Sequence, residues 1–177
     1  TDTMTPFWHN HLTSSLKKVQ TPNLLFEQNA LLLGHALVNF ADLLRAGVVD
    51  SAMMVYLDTL NSKAGAPNDT FARELMELFT LREGQGYTEA YLREAARAFT
   101  GWRIDPNHSF RFVPKNHDTE TKTFFGRTGR FDAGEIVEIL LEQPRLAVHI
   151  TEKLWRVFVS EQPDSQEIDR LATIFRD

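Results

Sequence analysis

The sequence predicts an all-α domain, mainly helical, with a small irregular or two-stranded β insertion near residues 102–130. Three observations carry this. Apolar residues recur at helical spacing through most of the chain, cap-and-proline signals stand in front of those stretches, and glycines close several of them. Only the segment from 102 to 130 breaks the pattern, with Pro, Asn and Gly around short β-prone runs.

Thr5-Pro6 and Thr21-Pro22 each place a hydroxyl before a proline whose missing N–H costs nothing in a first helical turn. The first helix is expected to present Trp8, Leu12, Ser15, Leu16 and Val19 on one face. The second repeats Leu24, Leu25, Gln28, Leu31, Leu32 and His35, with the two polar residues reading as buried hydrogen-bonding partners. A third helix runs from Asn39 to Arg45 and ends at Gly47, a short fourth covers Ser51 to Leu57, and residues 61–67 form a loop. Asn68 caps a strong helix bearing Phe71, Leu75, Leu78 and Phe79, closed by Gly84 and Gly86. Thr88 opens its partner, with Tyr91, Leu92, Ala95 and Phe99 inward and Gly101 at its end, so the two make a helical hairpin.

In the insertion, Phe110–Val113 and Thr123–Phe125 read as the two strands. Asp132 with Glu135, and Asp164 with Glu167, have capping-box spacing before two further helices. Between them Pro144 to about Val159 forms a longer helix expected to bury Ala147, Ile150, Leu154, Val157 and Phe158. No Gly or Pro follows Phe175, so residues 1–177 read as a single helical domain that is a fragment of a longer chain. The rest of that chain is expected to pack on the terminal helices.

At 177 residues, with 42% hydrophobic and 24% charged residues, the chain is long enough for a real core and has the balance of a soluble globular unit. A net charge of -5 with scattered basic residues gives no footprint for nucleic acid. The longest apolar runs fall well short of a membrane span. Absence of cysteine excludes disulfides, thiolate catalysis and sulfur-bound zinc. The compartment, cytoplasmic or exported, stays open on these features.

The strings Phe7-Trp8-His9-Asn10-His11-Leu12, Asn68 through Leu78, Gly86-Tyr87-Thr88-Glu89, Ala98-Phe99-Thr100-Gly101-Trp102, His117-Asp118 and Lys153-Leu154-Trp155 together resemble the bacterial family called domain of unknown function 1800, in order and across the whole chain. The resemblance implies that this is the central part of a longer protein. Frequent gene neighbourhood of that family with a second protein family implies a protein partner. It implies no cofactor and carries over no catalytic residue.

Four polar clusters invite chemistry. His9 and His11 are candidate metal ligands, but two residues apart on a helix is about 200° of rotation, so they are expected on opposite flanks of the apolar stripe. Glu74 and Glu77 share a helical face and could act as acid and base or hold a metal, while the bland reading is an i, i+4 ion pair of Glu77 with Arg73. His117 and Asp118 lie in the irregular segment beside Lys122, where loops carry function. Hairpin geometry predicts that Glu74 pairs with Arg97. No phosphate loop or nucleophile elbow occurs. Two functions follow: a scaffold or protein-interaction module, which is preferred, and a metal-assisted or acid/base enzyme using a His/Glu/Asp cluster.

Overall fold

The helices start at the proline and cap signals of the sequence with two departures: the first opens at Met4 with Thr5 inside it, and Thr21 makes no side-chain cap bond. In the computed structural model, which describes residues 3–176, α1 (Met4–His11) and α3 (Pro22–Gly34) each carry proline in the first turn, where no intrahelical partner is lost. Asn39 accepts a hydrogen bond from Ala41 N at the start of α4 (Phe40–Val48), and Asp50 accepts one from Met53 N at the start of α5 (Ser51–Tyr56). The single stripe expected from Trp8 to Val19 is broken. The Thr13 hydroxyl donates to the carbonyls of His9 and Asn10, which ends α1 early, and residues Leu16–Val19 form the separate short helix α2, with Leu16 exposed.

The hairpin of residues 68–100 is present with one departure. Asn68 Oδ1 accepts from Thr70 N, and α6 (Thr70–Glu74) runs directly into a π-helical stretch, Leu75–Thr80, instead of continuing as α-helix. There Leu81 N donates to Met76 O at 2.8 Å, five residues back, and Arg82, at φ 90°, donates to the same oxygen at 3.1 Å. Its partner α7 (Glu89–Ala98) is capped by Thr88 as expected. Phe71, Leu75 and Met76 pack with Leu92, Ala95 and Phe99, and the Phe71 and Phe99 ring centres lie 4.8 Å apart.

The insertion holds two hairpins, not one. The expected strands do not pair with each other: β2 (Phe110–Phe112) pairs with β1 (Trp102–Ile104), and β3 (Lys122–Phe124) pairs with β4 (Arg127–Gly129), all antiparallel. Each run finds its mate within a short turn, at a lower closure cost than a long-range pairing. Gly101 sets the entry. Its φ is +87°, and a Cβ there would stand 2.9 Å from Val113 O and 3.2 Å from His117 N.

Asp132 and Glu135 form the full reciprocal box at the start of α8 (Ala133–Leu141). Asp164 accepts from Gln166 N and Glu167 N ahead of α10 (Ser165–Arg176), while Glu167 turns to Arg170. Along α9 (Pro144–Phe158) Ala147 and Ile150 are buried as expected. Val157 and Phe158 are instead 56% and 49% exposed, because this end of α9 runs past the core and is covered only in part by α10 and the start of α1. No helix among the described residues is long and apolar enough to cross a membrane.

Candidate functional site

The π-helical stretch leaves carbonyls that no downstream N–H can reach. Leu81 N and Arg82 N are both spent on Met76 O, so the carbonyls of Leu78 and Phe79 need partners from elsewhere. Side chains from two distant elements supply them. His11, on α1, places Nε2 3.0 Å from Phe79 O; His149, on α9, places Nε2 3.1 Å from Leu78 O; Lys153, one turn further along α9, donates to Leu78 O at 3.0 Å. Arg145 donates to Leu81 O at 3.3 Å. Cationic or hydrogen-bond-donating groups at a helix C-terminus also meet the negative end of the peptide dipoles.

Lys153 Nζ further lies 2.9 Å from His11 Nδ1. The two contacts of His11 fix its tautomer. A carbonyl only accepts, so Nε2 carries the proton, and Nδ1 presents its lone pair to the lysine. A doubly protonated ring would turn an N–H toward a donor. Burial and the neighbouring Lys153 accordingly hold His11 well below its ordinary value. Burial likewise brings His149 down to about 4 and Lys153 down to about 8. The cluster therefore holds neutral rings around an amine with no carboxylate on it.

A second polar cluster pins the insertion onto α7. Arg97 clamps Asp118 with Nε at 2.8 Å and a second N–H at 3.1 Å, and also binds Glu94 and Thr121 O. Glu94 accepts from Thr123 N at the start of the second hairpin. Lys122, fully buried, donates to Asp118 O at 2.6 Å and Glu120 O at 3.1 Å, with Asp118 Oδ1 at 3.9 Å. The Arg97 guanidinium holds the Asp118 carboxyl below the usual carboxylate range. His117 donates from Nδ1 to Thr100 O, which leaves Nε2 as the acceptor. Its ring borders a cleft of about 360 Å³ with Trp102, Phe110, Phe112 and Asp132.

The remaining candidates lie elsewhere. Glu77 accepts from the Tyr87 hydroxyl at 2.7 Å and pairs with Arg73 at 3.3 Å, the i, i+4 pair expected from the sequence. Burial and Glu77 push the Tyr87 phenol up to about 12. Glu74 does not pair with Arg97, contrary to the hairpin argument, because Asp118 and Glu94 occupy that guanidinium. The simple register assumed an uninterrupted α-helix, and the π-helical stretch begins one residue after Glu74. Among the described residues no hydrogen bond or ion pair reaches the Glu74 carboxylate, which burial and Glu77 push up. His9 binds Asn29 Oδ1 at 3.2 Å, while His11 faces Phe79, so the two rings turn to different neighbours.

Thus Asp118 and His117 share one cluster, Glu74 and Glu77 a second place, and His11 a third. No group of three or more His, Cys, Asp or Glu side chains arranged for a metal occurs among the described residues. His149 escaped the sequence reading, and Lys153 stood in it only as part of the Lys153-Leu154-Trp155 string, not as a site candidate. Their i, i+4 spacing on the inner face of an amphipathic helix was the available signal.

A mainly helical domain carrying two β-hairpins, with a lysine and two histidines closing a π-helical end, is the class that the fold and site define. The chain belongs to the family described as protein of unknown function (DUF1800), whose model matches residues 1–177. No curated protein and no solved structure matches the chain.

Proposed function

We propose that this chain is a protein-interaction module, and that the surface it offers is the apolar groove between α9 and α10. The supporting observation is the character of that groove. It encloses about 510 Å³ among Met4, Leu154, Phe158, Val159, Leu171 and Ile174, with Val159 63% and Ile174 60% exposed. Contiguous exposed apolar surface of this kind marks contact sites, and a groove between two helices suits an amphipathic helix laid along it. The metal-assisted or acid/base alternative draws on Glu74, Glu77, His117, Asp118, His9 and His11, which stand in separate places with mostly structural partners, and is the weaker reading on that ground.

A photo-crosslinking residue placed at Ile174, with exposed Gln166 on the same helix as control, tests the proposal in the producing cell. The expected result is a discrete intermolecular product from position 174 and none from 166. Equal yields at both positions, or a product joining 174 only to its own chain, would contradict it.

A further inference from the structure

A groove of about 410 Å³ lies on the other side of α1, lined by Pro6, Phe7, Asn10, His11, Lys153 and Arg156 among others. Two features make it more than a surface hollow. Lys153 Nζ holds two acceptors, His11 Nδ1 and Leu78 O. A neutral amine has two N–H donors and one lone pair, so these contacts use both donors and leave the lone pair without a protein partner. An ammonium would instead carry a third N–H with no acceptor among the described residues, in a place where burial disfavours charge.

The second feature is Arg156, three residues along α9 and so on the same face as Lys153. It is exposed, lines the groove, and forms no ion pair among the described residues; Glu152, the nearest carboxylate in sequence, is taken by Arg82 and Arg145. The groups that face the amine are His11 from α1, the Leu78 and Phe79 carbonyls from the π-helical end, and His149 and Arg156 from α9. None carries a negative charge. A planar guanidinium beside an uncompensated amine suits a small anion that also bears an electrophilic carbon.

We propose that Lys153 is a covalent attachment site for a small 2-oxo acid, with the amine adding to the keto carbon and Arg156 holding the carboxylate. The Nζ lone pair forms a C–N bond as the carbonyl π pair moves to oxygen. A proton passes from nitrogen to that oxygen, and loss of water leaves the imine. The balance is one amine plus one 2-oxo acid giving one imine plus one water, with no change of oxidation state. His11 is a positioning residue: its Nδ1 accepts an N–H of the amine and so orients the lone pair.

Pyruvate with sodium cyanoborohydride at pH 8 reduces any imine to a stable carboxyethyl-lysine, which peptide mass spectrometry assigns to a residue. Lysines 17, 18, 63 and 115 of the same molecule are the internal standard. Lys153 is expected to be modified at least about tenfold faster than they are, since a larger share of its amine is neutral. Arg156→Gln should slow labelling by pyruvate and leave labelling by acetaldehyde, which has no carboxylate, unchanged. His11→Gln should slow both. Equal labelling of Lys153 and the surface lysines in the unaltered protein would overturn the attachment site, whatever the variants do. Equal sensitivity of pyruvate and acetaldehyde to Arg156→Gln would overturn the 2-oxo acid.

Discussion

Lys122 and Lys153 both end on backbone carbonyls, one in the β insertion and one at the π-helical end, yet they are built for different chemistry. Lys122 is sealed from solvent and has the Asp118 carboxylate 3.9 Å away, itself clamped by Arg97. Lys153 borders an open groove and has a neutral imidazole where Lys122 has a carboxylate. A nearby anion favours the charged form, and burial disfavours it. For Lys122 both act: desolvation wins and lowers the amine, with Asp118 and Glu94 opposing it; for Lys153 desolvation acts alone and brings it to about 8. The same side chain is thereby a structural cation in one region and a proton-releasing amine in the other.

The comparison predicts unequal losses on truncation. Lys122→Ala should have the largest effect, roughly 3 to 5 kcal/mol in urea denaturation, because it removes the fully buried member of a partly buried charge cluster and leaves Asp118 O and Glu120 O unbonded. Lys153→Met should lose about 1 to 3 kcal/mol, the cost of leaving the His11 Nδ1 acceptor unpaired in a neutral setting. Equal losses at the two sites would break the distinction between them.

Acid should sharpen it. His149 is held at about 4 and His11 well below its ordinary value, so the unfolded chain binds more protons than the folded one as pH falls through about 6.5. Stability supplied by these neutral rings is complete above that pH and declines toward pH 4. Lys153 has the same sign in another window: its folded value of about 8 lies below the unfolded one, so stability rises with pH between about 8 and 10.4. Urea midpoints measured across both windows should slope upward with pH in each; Lys153→Met should flatten the alkaline one and, because the Lys153 charge helps hold His11 and His149 down, also ease the acid one.

The smallest effect belongs to Glu74. With no partner to lose, Glu74→Gln should change stability by less than about 0.5 kcal/mol. A larger loss in calorimetry would mean that its carboxylate does work no contact accounts for.

Much of the fold was legible from local signals. The caps at Thr88 and Asp132 act on backbone within three residues and are found as expected, whereas the Thr5 and Thr21 hydroxyls make no cap bond although a proline stands in the first turn of each helix. The clamp on Asp118 was half legible, since His117-Asp118 stood out in a loop while Arg97 was assigned to Glu74. What hid the other site is the π-helical stretch. One added residue in a turn leaves the apolar pattern of Leu75, Met76 and Phe79 intact but changes which carbonyls lack a donor, and only the fold brings residues 11, 78 and 153 together. The exposed end of α9 was misread for a related reason: Val157 and Phe158 continue a helical stripe, and periodicity cannot tell a core from a groove.

The most direct measurement is an NMR titration of the lysine side chains, following the Cε and Nζ resonances of Lys153 and Lys122 in one sample. The account predicts that Lys153 loses its proton near pH 8, with Lys122 still charged at the midpoint of that transition. Titration of Lys153 in the ordinary lysine range near 10.4, or of both residues together, would contradict it.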